Sequence, residues 1–142
     1  VCITYYVVVP NIQKEIPLNV LAASIACGLV IDTLLIINNY RDRDNDKRDG
    51  KITLIVRVGE KIGEHLYFVI GLLGAVAMCI ASYVTGKNLI LTILPLLYVP
   101  MHYLAYRKMI KINQGKELNS ILGKTSQNML LFCALSALSI LL

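Results

Sequence analysis

The sequence predicts an all-α protein, a multi-spanning transmembrane helical bundle with about four full spans and a truncated first one. Three observations carry this. Long stretches hold almost no charge, and the charges gather in two blocks between them. Of 142 residues, 56% are hydrophobic and 16% charged, whereas soluble domains carry about 25% charged residues. That composition excludes a disordered chain. It also argues against an ordinary soluble domain, which the length alone would allow.

Residues 1–9 form an apolar run too short to cross a bilayer. The run reads as the end of a helix that starts outside the sequence, because no initiator Met, charged n-region or cleavage site precedes it. Residues 18–37 follow, 20 positions whose only charge is Asp32. Residues 66–84 give 19 positions without charge, and 89–106 give 18 whose only titratable imidazole is His102. Each meets the length of ~17–25 residues that a spanning helix needs. Pro95 and Pro100 interrupt the third, as transmembrane helices tolerate. Residues 125–142 are the weakest span, with Gln127 and Asn128 near the start. The region 1–142 therefore reads as one transmembrane unit, with a charged motif loop over 38–64.

Loop charges give the orientation. Residues 41–61 hold seven basic side chains and 107–124 hold five, whereas the two opposite connections hold only Lys14 and Lys87. This alternation places both charged connections in the cytoplasm and the chain in the inner membrane. Basic residues so arranged report topology, and no nucleic-acid partner is expected. Cys2, Cys27, Cys79 and Cys133 lie singly in apolar segments without metal spacing, as small apolar fillers do.

The stretch that carries chemistry starts where the first full span meets the interface. Asn38, Asp42 and Asp46 recur every four residues, so a helix continuing through them sets all three on one face. Carboxylates on one stripe repel unless a cation lies between them. Hard oxygen ligands suit Mg2+, which takes one or two carboxylates and completes its shell with water and phosphate. Gly50 stops the helix. Arg41 and Lys51 supply cations of the kind a diphosphate needs. The competing reading is a solvated juxtamembrane loop. Against it, Asn38 and Asn39 sit at the inner end of a span, where polar groups are costly unless used.

The pattern N-N-x-R-D-x3-D-x3-G-K-x-T-L, continued by Val56-Arg57-Val58-Gly59, resembles the second aspartate-rich motif of the UbiA superfamily of intramembrane prenyltransferases. Glu117-Leu118-Asn119 and Leu122-Gly123-Lys124-Thr125 before an apolar stretch resemble that family's last connection. The resemblance implies a bundle of nine helices with two such motifs facing one cavity. This sequence holds one motif and would be the C-terminal half, inactive alone. It further implies Asp42 and Asp46 as Mg2+ ligands, and Arg41, Lys51, Asn38 and Asn39 around the diphosphate of a polyprenyl donor. Arg57 also fits the motif. Asp32, an intramembrane carboxylate, is a further candidate, set against a structural hydrogen bond to another helix.

The motif details favour the menaquinone-pathway branch, in which polyprenyl diphosphate alkylates 1,4-dihydroxy-2-naphthoate to give demethylmenaquinol, diphosphate and CO2. Other acceptors, 4-hydroxybenzoate or homogentisate, keep the fold. A non-catalytic membrane or transporter module is the reading from a different class. His102 is expected to be a packed or interfacial histidine, and His65 to face headgroups.

Overall fold

A computed structural model describes residues 1–9 and 15–142. Lys14, counted above in one of the sparsely charged connections, lies outside the described residues. The helices are α1 (Cys2–Val8), α2 (Leu18–Arg48), α3 (Leu54–Val58), α4 (Glu60–Val84), α5 (Leu89–Ile93), α6 (Tyr98–Ile112) and α7 (Asn119–Leu141). A 3-10 turn, Leu94–Leu97, joins α5 to α6, and another, Lys116–Leu118, leads into α7. No strand occurs among the described residues.

Three segments are long and apolar enough to cross a membrane: Leu18–Arg48, Glu60–Val84 and Leu89–Ile112. They correspond to the first three expected full spans. The fourth expected span falls within α7, whose 23 residues reach ~34 Å at ~1.5 Å per residue. Polar residues keep α7 out of the apolar set, and they have structural work inside the bundle. The Tyr67 and Thr125 hydroxyls lie 2.7 Å apart, Asn128 Nδ2 donates to Met101 O at 3.2 Å, and Ser82 Oγ donates to Ser139 O at 2.8 Å. Such bonds tie helices together where apolar burial drives association weakly.

The prolines act differently. Pro95 lies in the first turn of the 3-10 segment that breaks the third span. Pro100 is the third residue of α6, where its missing N–H costs no helical bond.

Small residues on α4 let its neighbours approach. A Cβ on Gly74 would lie 2.6 Å from Val30 Cγ2 of α2, and one on Gly71 would overlap the His102 ring of α6. His102 is fully buried and stacks on Tyr67 and Tyr98. Its Nδ1 lies 3.0 Å from the Tyr98 hydroxyl and its Nε2 3.0 Å from Tyr67 O. The carbonyl can only accept, so Nε2 carries the proton and Nδ1 accepts from Tyr98. This is the packed histidine expected. His65 is exposed, with Nδ1 donating to Lys61 O at 2.7 Å.

One apolar cluster, around Ala26, Val30, Ala75 and Phe132, fills the end of the bundle away from the charges. A second, around Ile37, Tyr40, Ile55, Met109 and Ile121, fills the charged end and supports the candidate site.

Candidate functional site

α2 is 31 residues long, ~46 Å at ~1.5 Å per residue. A hydrocarbon core of ~30 Å accounts for ~20 of them, which brings the helix to about Asn38. The expected motif loop is therefore mostly helix. α2 runs unbroken to Arg48, α3 and the start of α4 follow, and only 49–53 and Gly59 lie between helices. The rigid extension carries the motif clear of the span. Gly50 ends it with φ of 72°, as the sequence predicts. Gly59, at φ 86° and ψ 164°, makes the reversal from α3 into α4 in a region essentially restricted to glycine.

The Asn38–Asp42–Asp46 stripe is present but graded. A step of four residues turns the helix ~40° past a full circle, so the stripe winds towards the packed interior. Asn38 and Asp42 are half-buried, and Asp46 is 7% exposed. Asp42 is held by its neighbour, with Arg41 Nε donating to Oδ1 at 2.7 Å and Nη2 to Oδ2 at 2.6 Å. Those hydrogen bonds, more than the charge alone, hold the Asp42 carboxyl below its ordinary range. Arg41 also donates from Nη2 to Asn38 Oδ1 and from Nη1 to Asn119 Oδ1, each at 2.9 Å. One guanidinium thus joins three stations of the site.

Asp46 is different. Its Oδ1 lies 3.3 Å from Lys51 Nζ, on a side chain 67% exposed, while its Oδ2 is buried without a hydrogen-bond partner among the described residues. A buried polar atom left so costs on the order of 1–3 kcal/mol, more when charged. Two carboxylates and an amide oxygen on one stripe are hard donors of the kind Mg2+ takes, and the orphaned oxygen is a vacant donor among them. No cluster of three or more His, Cys, Asp or Glu occurs among the described residues. A metal here would need further donors from outside these residues.

Other expected contributors are not drawn in. Asn39 is half-buried without a side-chain hydrogen bond among the described residues, and Arg57 is exposed at the end of α3 without a side-chain partner. Asp32 is exposed, and the interhelical hydrogen bond weighed for it is not formed among the described residues.

Two cavities adjoin the stripe. A polar one of about 240 Å³ is lined by Arg41, Asp42, Asn45, Gly115, Lys116 and Asn119. An apolar one of about 460 Å³ runs between α2 and α7 along Ile31, Leu34, Leu35 and Leu122 to Asn38 and Ser126.

The sequence did not point to the network behind the stripe. Arg43, 7% exposed, donates from Nη1 to Tyr40 O and Asn113 O at 2.8 Å. Its Nη2 donates to Asn113 Oδ1 at 2.9 Å and to Glu60 Oε2 at 3.2 Å. The Tyr40 hydroxyl lies 3.0 Å from Oε1 of buried Glu64 and 2.9 Å from Asn113 Oδ1. This knot fastens α2, α4 and the connection after α6, and it fixes the helix on which the aspartates sit. Glu60 and Glu64, one turn apart, were the available signal, but nothing local names their partners.

The sequence profile of the UbiA prenyltransferase family matches residues 1–140, and the chain belongs to that family. It is similar to the 1,4-dihydroxy-2-naphthoate octaprenyltransferase of Haemophilus influenzae (strain ATCC 51907 / DSM 11121 / KW20 / Rd), 33% identical over 144 residues, covering 98% of this chain and 44% of the relative. It is also similar to the enzyme of the same name from Escherichia coli (strain K12), 41% identical over 68 residues, 48% of this chain and 21% of the relative. The chain thus spans less than half the length of the curated relatives it matches. No solved structure gives a significant match.

Proposed function

We propose that this chain supplies one metal–diphosphate half-site of a prenyltransferase that joins a polyprenyl group to 1,4-dihydroxy-2-naphthoate. The buried, unpartnered Oδ2 of Asp46, one turn from Asp42 at the end of a span-length helix, is the observation that carries this reading. The relatives, both 1,4-dihydroxy-2-naphthoate octaprenyltransferases by name, support the acceptor. Asp42 and Asp46 would hold Mg2+, which neutralises charge on a departing diphosphate. Arg41, held in a fan by Asn38, Asp42 and Asn119, has one Nη1 proton unused by those bonds and faces the polar cavity, ready for a diphosphate oxygen. Lys51, long and 67% exposed, is paired only with Asp46 and would reach the same group.

The bond between the allylic carbon and the diphosphate oxygen breaks, and its electron pair leaves with diphosphate. The electron-rich ring attacks the allylic carbon through the carbon bearing the carboxylate. Loss of CO2 returns the electrons of that bond to the ring and gives demethylmenaquinol. No protein nucleophile is needed, because these residues act where charge develops. The apolar groove beneath Asn38 suits an isoprenoid tail. The charged end would face the cytoplasm of a cell with an inner membrane, because twelve of fourteen basic residues lie there.

The test uses the full gene product with prenyl diphosphate and 1,4-dihydroxy-2-naphthoate. Asp42→Asn and Asp46→Asn are each expected to lower Mg2+-dependent turnover by about 100-fold or more. They should also weaken Mn2+ binding read by electron paramagnetic resonance. Parental turnover in either would remove that residue from the site.

A further inference from the structure

The two charged blocks differ in how their cations are satisfied. Every ion pair among the described residues lies in the first, between Arg41 and Glu64. In the second block, residues 107–124, five basic residues face one acid, Glu117. Arg107 donates to the Tyr103 hydroxyl at 3.0 Å, and no carboxylate pairs with Arg107, Lys108, Lys111 or Lys124 among the described residues.

Lys108 of α6 and Lys124 of α7 instead line one cavity of about 280 Å³ between the two helices. The cavity has two amides, Gln127 and Asn128, and an apolar floor that includes Met101 and Leu104. On α7, Lys124, Gln127 and Asn128 lie nearly opposite Leu122 and Ser126, which line the groove leading to Asn38. The lysine pair therefore faces away from the candidate diphosphate site.

We propose that this α6–α7 cavity is a binding site for the headgroup of an anionic phospholipid. An anion between the ammonium groups turns their repulsion into two charge-assisted hydrogen bonds, and the amides can serve the remaining oxygens. A lipid, rather than a free phosphate, suits the floor: Met101 and Leu104 continue the site down a span-forming segment, where acyl chains run. Basic pockets between helices near the interface take anionic headgroups in this way. The proposal rests on the membrane embedding and is independent of the transfer chemistry.

The experiment compares the full gene product in phosphatidylglycerol and in phosphatidylcholine nanodiscs, counting retained lipid by native mass spectrometry and following Tm. The parent is expected to retain phosphatidylglycerol selectively and to gain Tm from it. Lys108→Gln/Lys124→Gln should weaken that retention about thirtyfold, from about 1 kcal/mol per cation at about 1.4 kcal/mol per tenfold. Its Tm in phosphatidylcholine should stay parental. Lys47→Gln/Arg48→Gln, which removes the same charge from the same end, should keep the selectivity.

Equal losses in both double variants would show unspecific attraction and overturn the site. So would a parent without selectivity, or an equal Tm gain from inorganic phosphate alone. Failure of the membrane embedding reads differently, as a protein that stays dispersed without lipid or detergent.

Discussion

The α2–α4 corner and the α6–α7 corner sit at the same end of the bundle and carry similar numbers of cations, yet they are built on opposite principles. In the first, the buried and half-buried cations are spent on partners. Arg41 is committed to Asp42, Asn38 and Asn119, and Arg43 to Glu60, Asn113 and Tyr40. One buried acidic oxygen, Oδ2 of Asp46, is left over among the described residues. In the second, cations are left over and acids are scarce. The difference teaches what each corner accepts. A preorganised acidic corner with one unsatisfied oxygen calls for a cation, and an unpaired basic corner above an apolar floor calls for an anion.

The largest way to break the contrast is to remove the arginine that holds the first corner together. Arg43→Ala removes the cation shared by Glu60, the Tyr40 and Asn113 carbonyls and the Asn113 side chain. Glu60 is part-exposed and keeps Lys61 at 3.8 Å, so the loss comes from the charged hydrogen bonds, worth about 1.5–3 kcal/mol each. Thermal or denaturant unfolding in detergent would read this, and an unchanged midpoint would contradict the knot. Gly71→Ala acts below both corners. The added methyl meets the His102 ring, so a loss of about 1–3 kcal/mol is expected from overpacking.

Asn119→Ala sharpens the contrast from the other side. It removes one charged hydrogen bond from Arg41, worth about 1.5–3 kcal/mol at most and less at this exposed position. A rise in KM for the prenyl diphosphate with little change in Tm is the outcome expected. Smallest is a pH effect. Because Asp42 ionises more readily when folded, its contribution is present above the ordinary carboxylate range and fades as pH falls through the lowered value. Arg41→Gln should flatten that part of the acid profile, and an unchanged profile would contradict the pairing.

Much of this was legible along the chain because it is local. Stretches of 18–20 residues with at most one acidic or basic side chain mark helices, Gly50 marks a stop, and a spacing of four marks a stripe. The winding of the stripe is equally local, but the burial that results depends on what packs beside it. Nothing in the sequence distinguishes Asp42, answered by the adjacent Arg41, from Asp46, answered by a lysine beyond a turn. Asn113 joins Tyr40 and Arg43 across some 70 positions, and its positive φ of 59° has no strong signature. Along the chain Lys108 and Lys124 read only as topology signals, because their sharing a cavity depends on how α6 packs against α7. Arg57 and Asn39 fit a pattern of letters, and the fold does not gather them.

The most direct measurement is Asp46→Asn in the full gene product, with turnover and thermal stability determined on the same preparation. A carboxylate kept for a metal and diphosphate gives a variant that unfolds near the parental Tm, because one oxygen is unpartnered among the described residues and the other pairs only with an exposed lysine, with turnover lower by about 100-fold or more. Parental turnover, or a loss of turnover that only follows a fall in Tm, would contradict the assignment of this corner as the metal–diphosphate site.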